Sequence, residues 1–106
     1  MAVYMLIDIE ILDQEKYFSY VKAARPMVEA AGGEYLVQGG EITPISGGWD
    51  PERIVIISFE SLEKMKRCFE SEQYKKISPL RMESTRSRVV VVEGAAGARQ
   101  GPDTKV

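Results

Sequence analysis

The sequence contains no histidine. That absence removes Ser-His-Asp and Cys-His nucleophilic catalysis, histidine-ligated haem and the usual histidine-containing zinc sites. Any general acid or base must come from Asp, Glu, Tyr, Lys or Cys. Cysteine is almost as scarce. Cys68 stands alone, so an intrachain disulfide is impossible, and a cytoplasmic setting fits that usage. Long apolar runs are missing as well. Stretches such as Ile54–Ile57 and Val89–Val92 are far too short to span a bilayer, so no membrane partner is expected. The chain opens without a basic region, and Asp8 and Glu10 interrupt its first apolar residues, so it does not read as a secretory signal. Lys and Arg number 14 against 16 Asp and Glu with no concentrated basic block, which disfavours a nucleic-acid partner.

What remains is an ordinary globular composition, 44% hydrophobic and 28% charged over 106 residues, enough for one domain with one modest core. From Ala2 to Leu12 the residues alternate. Val3, Met5, Ile7, Ile9 and Ile11 share one strand face, and Tyr4, Leu6, Asp8 and Glu10 share the other. Asp13 is placed to cap a helix, and Tyr17, Val21, Ala24, Val28 and Ala31 follow at helical spacing. Pro26 inside this pattern predicts a kink or division near Arg25, and Gly32 ends the helix. Glu34 to Ile42 reads as a second strand, Thr43 to Pro51 as a Gly- and Pro-rich loop, and Glu52 to Phe59 as a central third strand. Ser61 caps a second helix with Leu62, Met65 and Phe69 inward. Ser71 starts a further turn through Tyr74, and Pro79 opens a short piece holding Leu80, Arg81 and Met82. Arg88 to Gly94 reads as the last strand, and residues 95–106 as a tail outside a domain of residues 1–94.

The order β-α-β-β-α-β predicts an α+β, ferredoxin-like sandwich: an antiparallel four-stranded sheet with two helices on one face. The other face, carrying Leu6, Val55 or Ile54 and valines of the last strand, is left apolar and bare. A bare apolar face predicts a partner, most simply a second copy of the chain in a homodimer.

The ordered set Ala24-Arg25-Pro26, Gly32-Gly33-x-Tyr35-Leu36-Val37-x-Gly39-Gly40, Gly48-Trp49-x-Pro51-x-Arg53, Phe59-x-Ser61-Leu62-Glu63, Ser71-x-x-Tyr74, Pro79-Leu80-Arg81 and Val90-Val91-Val92-Glu93-Gly94 resembles the domain-of-unknown-function 1330 family (DUF1330). The resemblance covers nearly all of the chain up to Gly94. It implies the ferredoxin-like fold of the dimeric α/β-barrel superfamily, which includes cofactor-independent monooxygenases, small isomerases and ligand-binding modules. The chain departs from the family pattern at Glu34, where a basic residue is common, and at Gln38, where Arg is common. It also has Glu60 for a Pro and Cys68-Phe69 for a Trp-Tyr pair.

Six residues are candidates for binding a ligand. Arg53 and Arg81 stand at element ends, where a guanidinium fork can hold a carboxylate or enolate; each is equally suited to a structural ion pair. Trp49 in its glycine-flanked loop is an aromatic wall over a pocket mouth or an anchor packed on the core. Tyr17, Tyr35 and Tyr74 offer hydroxyls to a substrate, and Tyr17 also lies on the apolar helix stripe, where core packing is its alternative. Asp8 and Glu10 form a carboxylate pair, line a wet groove or pair with arginines. Cys68 follows Lys66-Arg67, which would lower its pKa, but its neighbours on the inner stripe favour a buried, inert thiol. Glycines 39, 40, 47 and 48 lack the spacing of a phosphate or dinucleotide loop, and neither metal nor cofactor is expected.

The first reading is a small homodimer with a pocket for a small, anionic organic molecule between the sheet and the helices or loops of each subunit. A cofactor-independent monooxygenase or isomerase using tyrosine, arginine and a carboxylate is the second. A non-catalytic structural dimer with a filled core is the third.

Overall fold

Strand β1 (Val3–Ile11) sits inside the sheet and decides which side chains go where. Its pairing is antiparallel to β3 (Arg53–Phe59) on one side and to β4 (Thr85–Glu93) on the other, and β2 (Glu34–Gln38) adds to β3. The resulting order is β2-β3-β1-β4. The computed structural model describes residues 1–95, so most of the expected 95–106 tail lies outside the described residues. Because partners in register share a face, Val3, Ile9, Val55, Ile57 and Phe59 turn together toward the helices and are buried. Tyr4, Leu6, Ile54, Ile56, Val90 and Val92 point the other way.

Helix α1 (Gln14–Ala30) begins where the Asp13 carboxylate accepts the Lys16 backbone N–H at 3.1 Å. It buries Tyr17, Ala24 and Val28 on the sheet. It is not divided at Pro26, contrary to the expectation from sequence. That residue is exposed, so water can satisfy the carbonyl that loses its donor. Helix α2 (Leu62–Phe69) is capped by Ser61 and buries Met65 and Cys68 while leaving Leu62 exposed.

The segment from Ser71 onward differs more. The expected separate turn and short piece are one helix, α3 (Glu72–Ser84), running straight through Pro79. Proline leaves the Lys75 carbonyl without its helical donor. The Ser78 hydroxyl, 3.4 Å away, donates to that carbonyl instead. The layer over the sheet is therefore three helices rather than two. At its far end α3 passes directly into β4. Ser84 and Thr85 hydroxyls donate back to the Leu80 and Arg81 carbonyls at 2.6 and 2.7 Å, and Ser84 is fully buried. The last strand therefore starts at Thr85, three residues before Arg88.

Strand β2 is shorter than its apolar pattern suggested, because Gly39 adopts φ +76° and turns the chain away after Gln38. Residues 39–52 then cross the bare face of the sheet, where Ile42, Pro44, Trp49 and Pro51 line a depression with Leu6 and Ile54. Val55, one of the residues expected on that face, is turned to the helices, and Ile54 is the one that faces the loop. Among the described residues no helix is long and apolar enough to cross a membrane.

Gly33 is held by close approach rather than by φ. A Cβ there would stand 2.6 Å from Val28 Cγ1 and 2.8 Å from the Phe59 ring. Gly33→Ala should therefore destabilise the fold by about 1–3 kcal/mol through overpacking. Gly40→Ala, which meets nothing within 4 Å, should stay within about 0.5 kcal/mol of wild type. Urea unfolding of the two variants checks the contrast.

Candidate functional site

The site grows from α1 lying across the helix-facing side of β1, β2 and β3. Tyr17, Tyr20 and Val21 stand on adjacent turns of α1, and all three face the sheet. From β2 come Tyr35 and Gln38. A β-bulge between Tyr35 and Val37 makes this possible: pairing shifts from Tyr35↔Ile57 to Val37↔Ile56 and Gln38↔Val55, so Gln38 lands on the same face as Tyr35. Without the bulge it would point to the opposite face. Arg53 enters at the start of β3, opposite Ile9, and Arg81 from α3.

These residues enclose two adjoining spaces. An open groove of about 620 Å³ beside α1 is lined by Ile11, Glu15, Phe18 and Val21 together with Gln38 and Arg53. Behind it lies a chamber of about 40 Å³, walled by apolar residues such as Ile7, Ile9, Val55 and Ile57 and reached by Tyr20, Tyr35 and Arg81. Tyr17, Val21 and Gln38 border both. The chamber has room for a water or a small head group, the groove for a ligand's body.

Hydrogen bonds fix the polar groups. Arg53 Nε donates to the Tyr17 hydroxyl at 3.1 Å, and its guanidinium lies 5.4 Å from the Tyr17 ring centre. A Cβ on Gly39 would collide with that guanidinium, so glycine leaves the space Arg53 occupies. Tyr20 and Tyr74 share a hydrogen bond between hydroxyls at 2.7 Å. Arg81 donates to Ser87 Oγ at 2.9 Å. Arg25 donates to Gln38 Oε1 at 2.7 Å and lies over the Tyr35 ring.

One asymmetry stands out among the described arginines. Arg25, Arg86 and Arg88, all exposed, each meet a carboxylate, Glu29, Glu10 and Asp8, while Arg67 is left to solvent. Arg53 and Arg81, both half-buried, meet none among the described residues. Two cations for which desolvation is costly are thus left without an anion, and they border adjoining spaces.

Of the residues singled out from sequence, Tyr17, Tyr35, Arg53 and Arg81 come together here. Tyr74 is buried behind them and reaches the chamber wall through Tyr20. Trp49 does not join them. It lies on the opposite face of the sheet, 53% exposed, beside Leu6, Asp8, Arg88 and Val90. The expected grouping of Trp49 with the arginines fails because the loop folds back over the bare face. Asp8 and Glu10 pair across strands with Arg88 and Arg86 on that face, and burial pushes the Cys68 thiol up, away from reactivity. Sequence reading missed Tyr20, although its spacing from Tyr17 and Ala24 places it on the same helix face. It also missed Gln38, which only the bulge aims inward.

The DUF1330 family model, described as a domain of unknown function, matches residues 2–95, and the chain belongs to that family. No curated protein matches it in sequence. Among solved structures, the RPA0582 protein of unknown function from Rhodopseudomonas palustris is 18% identical over 88% of this chain and 82% of its own, with a TM-score of 0.75. SnoaB, a cofactor-independent oxygenase from Streptomyces nogalater, has a TM-score of 0.66 at 7% identity, covering 93% of this chain and 98% of its own. A de novo designed protein, Foldit4, reaches 0.59 at 19% identity over 89% and 99%. These likenesses define the ferredoxin-like α+β fold. An oxygenase and a designed protein share it, so the fold alone carries no reaction.

Burial pushes the Tyr35 hydroxyl up to about 12, partly offset by Arg25, and burial beside Tyr74 raises Tyr20 further. A phenol whose pKa is raised in the folded state supports stability fully below its unfolded value near 10 and loses that support as pH rises toward the folded value. Unfolding midpoints should therefore fall between pH 10 and 12. Tyr35→Phe should flatten the fall relative to wild type, as followed by urea titration at stepped pH.

Proposed function

We propose that this protein binds a small, acidic organic molecule in the groove and chamber between α1 and the sheet, and that it does so as a homodimer. The observation that carries the binding reading is the pair of half-buried arginines, Arg53 and Arg81, without a carboxylate partner among the described residues, on the walls of two adjoining spaces. An anion entering there gains charge-assisted hydrogen bonds from guanidiniums that are already partly desolvated and already positioned. The apolar walls take up the molecule's body, and Gln38 and the tyrosine hydroxyls orient it.

The support for the dimer is the opposite face of the sheet. Val90 and Val92 are 55% and 54% exposed there, and Ile45 and Trp49 of the crossing loop add further exposed apolar surface. Asp8–Arg88 and Glu10–Arg86 supply charges of both signs at one edge, which suits a self-complementary two-fold contact.

Small aromatic and aliphatic monocarboxylates should raise the melting temperature of the wild-type protein. A variant carrying both Arg53→Met and Arg81→Met should keep its fold and lose the response. A response that survives in the double variant would rule the site out. For assembly, sedimentation at micromolar concentration should give a dimer, consistent with at least about 1,200 Å² buried in total. Val90→Asp should shift it to monomer without altering the circular dichroism.

A further inference from the structure

Arg53 and Arg81 do not stand side by side at one point of the site. Arg53 borders the open groove and Arg81 the enclosed chamber, and no cavity wall includes both. The two spaces adjoin at Tyr17, Val21 and Gln38, which line both. The wall beyond them, Ile7, Ile9 and Val55, is apolar. The two cations are thus separated, one in each space, by a boundary of mixed character and a largely apolar wall.

Each guanidinium has donors to spare. A guanidinium offers five N–H groups. Among the described residues Arg53 uses one on Tyr17, and Arg81 uses one on Ser87. Around Arg81 the remaining chemistry is also donor-rich. Of the two hydroxyls in the Tyr20–Tyr74 pair, one proton is spent between them and the other is left to donate. The Tyr20 phenol stays protonated, because burial raises it far above its ordinary range.

Building on the small-acid reading above, we infer that the ligand is a two-headed acid. One anionic group is held at the groove by Arg53. An unbranched apolar spacer passes Tyr17 and Val21, and a second anionic group ends in the chamber between Arg81 and the Tyr20–Tyr74 pair. A ligand with one acid group satisfies one arginine and leaves the other uncompensated. A ligand with two acid groups neutralises both, so the two contacts reinforce each other. The chamber's small volume sets the limit on the inner head: a carboxylate fits, a bulky group does not.

The test is a calorimetric series of α,ω-dicarboxylates from malonate to sebacate against the monocarboxylates of matching chain length. The expected result is one preferred diacid length, binding at least about tenfold tighter than its monoacid counterpart. Arg53→Met and Arg81→Met should each remove most of that advantage. Monoacid binding should weaken as well in each single variant, but by a smaller factor than diacid binding, because a monoacid engages one arginine and the diacid both. Arg53→Lys and Arg81→Lys keep the charge without the fork and should give intermediate losses, which guards against a folding defect in the methionine variants. Affinity that rises smoothly with chain length for both acid types, with no preferred diacid, would overturn the two-headed ligand while leaving the small-acid site in place. Absence of binding by either series would overturn both.

Discussion

A chain of aromatic rings holds this molecule's layers in register. Tyr17 and Tyr20 stand 6.3 Å apart on α1. Tyr20 meets Tyr74 edge-on at 6.3 Å, Tyr74 meets Phe69 at 4.9 Å, and Phe69 meets Phe59 of the sheet at 5.9 Å. Edge-to-face geometry is specific in angle as well as distance, so this chain fixes α1 and α3 relative to each other and to the sheet. Several polar groups of the site take their place from it. Tyr17 orients Arg53, Tyr74 orients Tyr20, and the helix that carries Tyr74 also carries Arg81. The rings that pack the core and the rings that face the cavity belong to one continuous structure.

The cost of the arrangement falls on two cations. A guanidinium removed from water without an anion is unfavourable, and the fold offsets this only in part. Arg53 gains a phenolic acceptor and a ring face. Arg81 gains a serine hydroxyl. By contrast, the surface pairs Lys16–Glu83, Lys64–Glu60 and Lys75–Glu72 sit in solvent, where such pairs contribute about 0–1 kcal/mol each. Charge pairing is thus used where it matters least for stability and withheld where it would matter most, which is the pattern of a surface reserved for something other than folding.

The fold was largely legible because its signals are local. Alternation from Val3 to Ile11, the Asp13 and Ser61 caps, and the turn at Gly32 each act within a few residues. The unreadable parts depend on contacts distant in sequence or on one substituted hydrogen bond. Helix α3 continues through Pro79 with a neighbouring serine replacing the missing donor, which no breaker rule anticipates. Gln38 faces the site because of one irregular pairing with β3. Trp49 looked like part of the same site as Arg53 because only three residues separate them in sequence. They lie on opposite sides of the sheet because the loop crosses the far face before β3 begins. Four of the six residues named from sequence meet at the cavity. What sequence could not supply was which carboxylates would pair with which arginines, and that two of those without a carboxylate, Arg53 and Arg81, would be half-buried beside cavities.

The joint between α3 and β4 links the two sides of the sheet directly. No linker separates them, and the Ser84 and Thr85 hydroxyls tie the corner to the preceding helical turn. Arg81 lies on the helical arm and is fastened across the bend to Ser87. Val90 and Val92 lie on the strand arm, facing the other side of the sheet. The cavity-lining guanidinium and the outward-facing valines are thus carried on one unbroken stretch of chain, so the interior of one layer and the outer surface of the other are joined without an intervening loop.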